Sequence, residues 1–479
     1  MGKRPNILFM LSDQHSPHVL GCGGNGTVNT PSLDRLAKEG VYFEQAYCQN
    51  PLCVPSRASL LTGRYSRSLG IYDNMHVMQA NSTTMPRTLA EAGYRTCLIG
   101  KSHFNGEQFH GYQQRPYGDL YGQGHQPDPA RLPEFGINGL GDVLENSGVS
   151  EIPVALTQTE ICVAEASKWM QAHIGVSPEQ PFLLSVHFDK PHFPIKAPRQ
   201  YCEKYKGKVD LQEVPDEYLD NAVPFIREAI AHNETGHHYG RDHEMQRNAL
   251  EAYYGCVEWV DNAVGRLIDV LDYLGLSEDT IVVYASDHGE MGGEHGTWQK
   301  TLFFDASSRI PLIIRGPGRF LTGLRSGEIV GLVDLFPTLC EAAGIKTPGT
   351  CEGVSLMPVL ESGGKIMRSG IFCESAVLRA TEHAGCMYRT GEWKYCRYLD
   401  GHEELYNMKE DPDEWDNVVK KHEGTDFLAD LRVKTDAFWK PEEYQDRLGK
   451  TPIMSKEKHF YPYSNQFILG NGLVVDARP

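Results

Sequence analysis

The stretch NILFMLSDQ, residues 6–14, is an apolar run that ends abruptly in an acid and an amide. An uninterrupted apolar run of this length is typical of a parallel strand buried on both faces. The stretch TIVVYASDHG, residues 280–289, has the same plan and ends in an acid and an imidazole. Because open α/β sheets build their sites beyond the carboxyl ends of parallel strands, we expect the polar side chains after both runs to share one site. These side chains are Asp13, Gln14, Asp287 and His288.

Strand and helix signals alternate along most of the chain. Residues 244–274 carry apolar side chains at three- and four-residue steps, which predicts a long amphipathic helix. Shorter helices are predicted at residues 30–37, 56–62, 84–92, 160–173 and 332–343, and strands at residues 95–100, 182–188 and 311–315. This alternation predicts a large α/β domain with a mainly parallel central sheet flanked by helices.

The pattern of predicted secondary structure changes after about residue 363. Three short runs, at residues 370–374, 386–390 and 393–398, indicate antiparallel strands, and Thr390-Gly391 suits a hairpin turn. We therefore predict a smaller C-terminal α+β domain with an antiparallel sheet. The predicted boundaries are a catalytic α/β domain at 1–363, an antiparallel-sheet subdomain at 364–440 and an extended tail at 441–479, packed on the main domain or on a neighbouring subunit.

Composition limits the classes of partner. The 479 residues carry a formal net charge of −17, which gives no general attraction to nucleic acid or to an anionic membrane. No apolar run is long enough to span a bilayer, and the run at residues 7–11 is too short for the core of a signal peptide. We expect a cytoplasmic protein, or a secreted or periplasmic one if a signal peptide has been removed. The 12 cysteines show no paired metal-binding spacing, so mostly reduced, buried thiols are expected.

The stretch LCVPSRASLLTGR, residues 52–64, places Cys53 directly before a predicted helix. A helix N-terminus offers free N–H groups to an anion, and Arg57 lies one helical turn after Cys53, so the two can share a face. This run resembles the signature of type I sulfatases, in which the cysteine is oxidised to formylglycine. Together with SDHGEMGGEHGTWQK at 286–300 and ELYNMKEDPDEWDN at 404–417, the resemblance spans roughly residues 5–418. It implies the fold of the alkaline phosphatase superfamily.

The resemblance also implies roles for particular residues. The metal ligands it implies are Asp13, Gln14, oxidised Cys53, Asp287 and His288. The sulfate-binding and proton-transfer positions it implies are Arg57, Lys101, His103, His192 and Lys300. In the cycle that we expect, a hydroxyl of the hydrated aldehyde attacks sulfur, His192 or Lys300 protonates the departing alcohol, and His103 takes the proton that allows sulfate to leave. Asn74 and His295 are the candidates for contacts with the substrate.

Two of the implied ligands bear on the identity of the metal and on the branch of the family that this chain resembles. Many sulfatases have a second Asp where this chain has Gln14, and Asn where it has His288. The pattern found here is similar to that of choline sulfatases and phosphonate monoester hydrolases. One divalent ion is implied, with Ca²⁺ as the family default, while an imidazole ligand favours Mn²⁺ more than an all-oxygen site would, and Mg²⁺ is a further alternative.

Several alternatives stay open at this stage. A phosphonate monoester or phosphodiester hydrolase would use the same nucleophile, although Lys101 and His103 favour sulfate. A dinucleotide-binding protein is suggested by GCGGNG at residues 21–26, but this motif does not adjoin the first strand or open a helix, so a surface loop is predicted. A catalytically silent member of the family is disfavoured by the intact set of site residues.

The identity of the substrate alcohol is the least determined feature. Residues 101–111 and the aromatic stretch HFYPY at 459–463 are similar to choline sulfatases, whereas Glu294-His295-Gly296 resembles sulfatases that act on sugars. We place a sulfated carbohydrate ahead of choline sulfate. The other partners implied are a formylglycine-generating maturation enzyme and, by analogy, further copies of the chain in a dimer or tetramer.

Overall fold

The computed structural model describes most of the chain, and a single large sheet organises it. The described residues are 4–74, 76–104, 108–118, 142–215, 217–218, 222–224, 227, 243–316, 318–375, 384–440, 466–468 and 474–476. Within these ranges, the nine strands of the central sheet are β1 Asn6–Asp13, β2 Val41–Tyr47, β3 Arg95–Gly100, β4 Gln114–Tyr117, β6 Phe182–Pro191, β8 Thr280–Ser286, β9 Arg309–Ile310, β10 Leu312–Arg315 and β11 Leu324–Gly331. Their order in the sheet is β11-β2-β10-β8-β1-β6-β3-β4, with β9 paired to β2.

The central four strands of this sheet are parallel. Strand β1 pairs in parallel with β6 on one side and β8 on the other, and β6 pairs in parallel with β3. Strand β10 runs antiparallel to both β8 and β2. The predicted mainly parallel sheet is thus confirmed, with the consecutive strands β9 and β10 reversed near one side. The short strands β5 Gly148–Val149 and β7 Lys196–Ala197 form a separate parallel pair.

Helices cover both faces of the sheet because alternate residues of β1 point to opposite sides. Ile7 and Phe9 belong to one buried cluster and Leu8 and Met10 to another. The helices are α1 Pro31–Glu39, α2 Cys53–Thr62, α3 Ser66–Leu69, α4 Met85–Glu91, α5 Asp142–Glu145, α6 Gln158–Val176, α7 Arg199–Cys202, α8 His243–Tyr273, α9 Asp305–Ser308, α10 Leu335–Ala342, α11 Met357–Ser362 and α12 Asp426–Phe438. The first cluster includes residues of α2, α4 and α10, and the second includes residues of α6 and α8.

The C-terminal sheet is antiparallel, as predicted, and packs on the main sheet. Its strands, in order, are β12 Ile371–Ser375, β13 Gly385–Thr390, β14 Trp393–Tyr398 and β15 Glu403–Asn407. Buried residues of β12 to β15 belong to the same hydrophobic cluster as residues of β1 and α2. A buried ion-pair network reinforces the contact, since Lys394 Nζ lies 2.5 Å from Asp305 and 2.6 Å from Glu414. The boundaries at 363 and 440 stay a prediction.

Some elements departed from the expectations. Strands β2, β11 and β15 and helix α12 were not predicted, although α12 is capped at its N-terminus by Thr425. Residues 21–26 form turns between β1 and α1, where Thr30 and Asp34 accept the backbone N–H groups of Gly21 and Cys22. In the tail, β16 Gln466–Ile468 pairs antiparallel with β17 Val474–Asp476, while the aromatic stretch 459–463 lies outside the described residues.

The structure also bears on membrane-spanning helices and on the state of the cysteines. In the part of the chain that the structure describes, no helix has both the length and the apolar character needed to cross a membrane. All twelve cysteines are described and all are free thiols.

Candidate active site at the carboxyl ends of the central strands

The register of the sheet brings the two predicted acids together. Ser12 of β1 lies opposite Ser286 of β8, so Asp13 and Asp287 follow neighbouring strands at the same edge of the sheet. Both are fully buried. The backbone N–H of Gln14 donates to Asp287 Oδ1 over 3.1 Å, which ties the two strand ends to each other.

Four buried side chains form a compact cluster with the chemistry of a metal site. The potential ligand atoms of Asp13, Cys53, Asp287 and His288 all lie within 4.8 Å of one another. His288 Nε2 faces the cluster, 3.2 Å from Cys53 Sγ and 3.7 Å from Asp287 Oδ1. His288 Nδ1 is 3.0 Å from the carbonyl oxygen of Gly289, so a proton on Nδ1 leaves the Nε2 lone pair for a ligand. Two carboxylates and an imidazole without solvent around them fit a divalent cation.

Helix α2 delivers Cys53 to this cluster. The helix begins at Cys53 itself, three residues before the predicted start at Ser56, and is followed by Gly63 in the left-handed conformation. Its first turn has no side-chain cap from Leu52. Instead, Asn74 Oδ1 accepts the backbone N–H of Val54 over 2.9 Å, and the Ser56 hydroxyl donates to the backbone oxygen of Asp287.

Arg57 connects both acids from the second turn of the same helix. Its Nε donates to Asp287 Oδ2 and its Nη2 to Asp13 Oδ2, each over 2.8 Å, and Nη1 donates to the backbone oxygen of Lys101. The side chain is 2% exposed. A guanidinium presents donors in a rigid planar fork, which is why one residue can hold two carboxylates at a fixed separation.

Two lysines and two histidines complete the cluster. Lys101 Nζ lies 2.8 Å from Asp13 Oδ2, and Lys300 Nζ donates to Gln14 Oε1 and lies 2.8 Å from His192 Nε2. His192 Nε2 is itself 3.8 Å from Asp13 Oδ1. His103, which has a positive φ of 54°, hydrogen-bonds the Cys53 side chain. The structure therefore gathers all ten predicted metal-binding and catalytic side chains in one contact network.

The concentration of cations shifts the ionisation of the site. Burial raises the pKa of Asp13, but Lys101, His192 and Arg57 outweigh this and hold the pKa well below its usual range. Burial likewise raises the pKa of the Cys53 thiol, and Lys300 and Lys101 reverse the effect and lower it well below its ordinary value. The site is thus built to stabilise negative charge inside a protein whose overall charge is strongly negative.

Three buried residues in contact with this network were not predicted. Glu290, 1% exposed, accepts the Nε2–H of Gln14. His187 Nδ1 lies 3.1 Å from the Lys101 backbone oxygen, and Lys190 Nζ donates to the backbone oxygens of His192 and Pro194. An ionisable residue inside the apolar run at 182–188 was a usable signal for His187. The contact of Glu290 depends on the geometry of the loop after β8, and that of Lys190, near the end of β6, on the course of the chain through His192 and Pro194.

The two predicted substrate contacts occupy different places. Asn74 lies at the start of helix α2, next to Cys53. His295 is 2% exposed, stacks on Phe304 at 3.8 Å between ring centres and lies 4.3 Å from Trp415. Burial lowers the pKa of His295 to about 3, so the ring is neutral. A substrate contact for either residue stays a prediction.

A cleft of about 260 Å³ is lined in part by Glu290, the residue that accepts the Nε2–H of Gln14. Tyr253 lies in its wall and donates its hydroxyl to the backbone oxygen of Gln14. Among the described residues that line the cleft there is neither lysine nor arginine. Its carboxylates are Asp210, Glu290, Glu294 and Asp413.

Comparison with known proteins agrees with this geometry. The sulfatase family profile matches residues 5–345, and the profile of the C-terminal part of N-sulphoglucosamine sulphohydrolase matches residues 293–439. The chain is 32% identical over 487 residues to the choline-sulfatase of Rhizobium meliloti, with 97% of this chain and 94% of the relative covered.

Solved structures give the same result. One, a protein in complex with its substrate D-glucosamine-2-N,6-O-disulfate, superposes with a TM-score of 0.75 at 26% identity, over 95% of this chain and 100% of the other. The phosphonate monoester hydrolase of Agrobacterium radiobacter has a TM-score of 0.74 at 22% identity, over 99% of this chain and 100% of that protein, which is a likeness of fold. The chain therefore belongs to the sulfatase family and is a sulfuric ester hydrolase.

Proposed function

We propose that this enzyme hydrolyses an organic sulfate ester to an alcohol and inorganic sulfate, with Cys53 in its oxidised, formylglycine form as the nucleophile. One observation carries the proposal. Arg57, Lys101 and Lys300 converge around Cys53 and Asp13 in a buried cluster. In a chain with a net charge of −17, cations gathered in this way indicate a site for an anionic group.

A divalent cation fits the acids of this cluster. Besides residue 53, the residues that would hold it are Asp13, Gln14, Asp287 and His288. When bound, such an ion supplies Lewis-acid stabilisation of negative charge on the sulfate oxygens and the attacking oxygen. Ca²⁺ is our first choice, and the imidazole of His288 keeps Mn²⁺ and Mg²⁺ as alternatives.

The position of Cys53, among the acids and cations of the cluster, suits nucleophilic attack. The hydrated aldehyde that oxidation would produce supplies one hydroxyl for attack on sulfur and a second hydroxyl whose deprotonation lets sulfate leave. A serine or cysteine side chain has no second hydroxyl and would keep the sulfuryl group. The proposal therefore requires a maturation enzyme that oxidises Cys53, and protein made without one is expected to be inactive.

The other side chains bind and move protons. Lys101 and Lys300 donate to the equatorial oxygens of the sulfate, and Arg57 holds the two acids in place. Burial lowers the pKa of His192 to about 3, so its neutral Nε2 accepts a hydrogen bond from Lys300 Nζ. The proton for the departing alcohol comes through this Lys300–His192 pair. His103, which is hydrogen-bonded to the side chain of residue 53, accepts the proton of the second hydroxyl.

We propose a sulfated carbohydrate as the substrate, with choline sulfate as the closest competitor. The cleft lined by Asp210, Glu294 and Tyr253 offers carboxylates and an aromatic wall to hydroxyl or amine groups. The similarity to a choline-sulfatase and to a protein bound to a sulfated glucosamine supports both members of this short list.

Phosphonate monoester hydrolysis is the second candidate. Gln14 and His288 among the proposed metal ligands and the shared fold with a phosphonate monoester hydrolase support it. Lys101 Nζ beside Asp13 and His103 beside Cys53 support sulfate instead. Slow cleavage of phosphoryl esters by the same site is expected in either case.

The test combines mass spectrometry with two model substrates. Protein co-expressed with a maturation enzyme is digested, the peptide across Cys53 is weighed, and release of an aryl alcohol from an aryl sulfate and from the matching phosphonate ester is compared. An aldehyde at residue 53 with faster sulfate cleavage supports the proposal. An aldehyde with faster phosphonate cleavage transfers the enzyme to the second candidate, and an unmodified thiol with full turnover would disprove the nucleophile. A Cys53→Ala variant, whose methyl side chain offers no thiol or hydroxyl to be oxidised to the aldehyde, is the matched control.

A further inference from the structure

Glu290 is a buried carboxylate that contacts a proposed metal ligand without belonging to the proposed ligand set. Its Oε2 accepts the Nε2–H of Gln14, while Gln14 Oε1 accepts from Lys300 Nζ. The other carboxylate oxygen, Oε1, accepts the backbone N–H groups of Gly292 and Gln299. Oε2 of Glu290 thus holds the Gln14 side chain, while Oε1 holds the backbone of Gly292 and Gln299.

An amide can be turned around, and here its surroundings permit one orientation. In the reversed orientation, Gln14 Oε1 would face the Glu290 carboxylate, and the Gln14 NH₂ group would face the Lys300 ammonium. Both contacts would then join groups that repel each other, two acceptors in one case and two donors in the other. Glu290 therefore selects the orientation in which the oxygen of Gln14 points to the cluster.

A glutamine at position 14 also lacks the charge that a carboxylate would carry. Glu290, which is 1% exposed, places one negative charge directly behind the Gln14 amide. A hydrogen bond from an amide to a carboxylate polarises the amide and increases the negative character of its oxygen. The pair Gln14 and Glu290 can in this way do part of what a carboxylate ligand does.

We propose that Glu290 is a positioning residue for the metal: it orients the Gln14 amide and strengthens Gln14 Oε1 as a ligand. The proposal rests on the metal site of the proposed function. It predicts that Gln14 and Glu290 behave as a matched pair, in which the carboxylate and the amide can exchange places.

The test is a metal titration of the full-length protein, stripped of metal and then titrated by calorimetry with Ca²⁺ and, separately, Mn²⁺. Glu290→Gln is expected to raise the dissociation constant about 10-fold or more, since outer ligand partners contribute about 10- to 100-fold in affinity. Gln14→Glu alone sets two carboxylates against each other. The exchange variant Gln14→Glu/Glu290→Gln is expected to bind metal more tightly than either single variant.

Glu251→Gln is the matched control. Glu251 is also a buried glutamate that accepts a backbone N–H, from Gly207, and its replacement removes the same charge outside the cluster. It should leave the dissociation constant unchanged. Thermal unfolding of each metal-free variant reports whether it folds. If Glu290→Gln does not fold, comparing the dissociation constants of Gln14→Glu and the exchange variant still tests the positioning role.

The outcomes separate this proposal from the metal site itself. If the parent protein binds neither ion, the proposed metal site fails. If the parent binds and Glu290→Gln binds equally well, the positioning role is wrong. A weakened Glu290→Gln that the exchange does not improve would overturn it as well, because Glu290 would then act only through the loop that its Oε1 holds.

Discussion

At the scale of the residue, the site depends on side chains that each contact several others. Arg57 is the clearest case, since one guanidinium contacts Asp13, Asp287 and the backbone of Lys101. Removing a single partner from such a buried group leaves the remaining charges without compensation, which is more costly than losing an exposed pair.

Arg57→Lys is therefore expected to be far from conservative. One ammonium cannot reach both Asp13 Oδ2 and Asp287 Oδ2 in the geometry of the fork, so one acid loses its partner. We expect kcat on an aryl sulfate to fall about 100-fold or more, with weaker metal binding by calorimetry. Arg325→Lys is the control, because Arg325 also donates through Nε and Nη2 to one carboxylate, Glu44, but on the surface. Equal losses in the two variants would contradict the assignment.

At the scale of the element, helix α2 places the nucleophile, and its first turn depends on a distant residue. The N-terminal N–H groups of a helix have no partner within the helix, and Leu52 cannot supply one. Asn74, which follows the helix by more than ten residues, accepts the N–H of Val54 next to Cys53. The cap therefore ties the nucleophile to the segment that contains Asn74.

Asn74→Ala removes this acceptor and is expected to lower the free energy of unfolding by about 1 kcal/mol, measured by urea denaturation. Asn74→Asp keeps an acceptor oxygen and should restore most of that stability. Asn81→Ala, at an exposed asparagine of the same segment, is the control and should have little effect. If Asn74→Ala leaves stability intact and raises KM alone, Asn74 acts as a substrate contact and the capping role is secondary.

At the scale of the whole molecule, the C-terminal sheet and the catalytic part share buried contacts. Lys394 of β14 pairs with Asp305 and Glu414, and the ring of His295 lies between Phe304 and Trp415. Residues 293–439, which one family profile covers as a unit, include all of these groups. We infer that protonation or substitution of these buried groups changes the free energy of unfolding of the whole protein.

His295 makes stability depend on pH in a defined direction. Burial lowers its pKa from 6.5 to about 3, so the unfolded chain takes up a proton near pH 6.5 while the folded protein does not until about pH 3. Its contribution to stability is complete above pH 6.5 and is lost as the pH falls toward 3, at about 1.4 kcal/mol per pH unit. His295→Phe keeps a ring against Phe304 and removes this dependence.

The measurement is urea denaturation of both proteins at pH 8, 6, 5 and 4. At pH 8 His295 is neutral in both the folded and the unfolded chain. The difference in unfolding free energy between the two proteins at this pH therefore reflects packing alone. Between pH 6 and 4 the slope of unfolding free energy against pH should be smaller in the variant. Burial also lowers the pKa values of His15 and His110, to about 4 and about 3. Because both residues are present in both proteins, the unfolding free energy of the variant still falls with pH, but less steeply. Parallel slopes would show that His295 is not neutral in the fold.

The sequence by itself determined the class of fold and the family, and it predicted the site residues that the structure brings together. Strand β3 was predicted with its observed bounds, and the long helix to within one residue at each end, because apolar period and length are local properties. The acids after β1 and β8 were predicted to meet because parallel strands place their carboxyl ends at one edge. The motif around Cys53 indicated the family from a few consecutive residues.

Only the tertiary structure decided which residues support that site. Strands β2 and β11 were missed because their partners lie far away in the sequence, and β2 carries half-buried polar residues in its middle. The roles of Asn74 at helix α2, of Glu290 behind Gln14 and of His295 in the aromatic cluster depend on contacts across tens to hundreds of residues. Local sequence carries no signal for such contacts, since packing of the complete chain sets which side chains face each other.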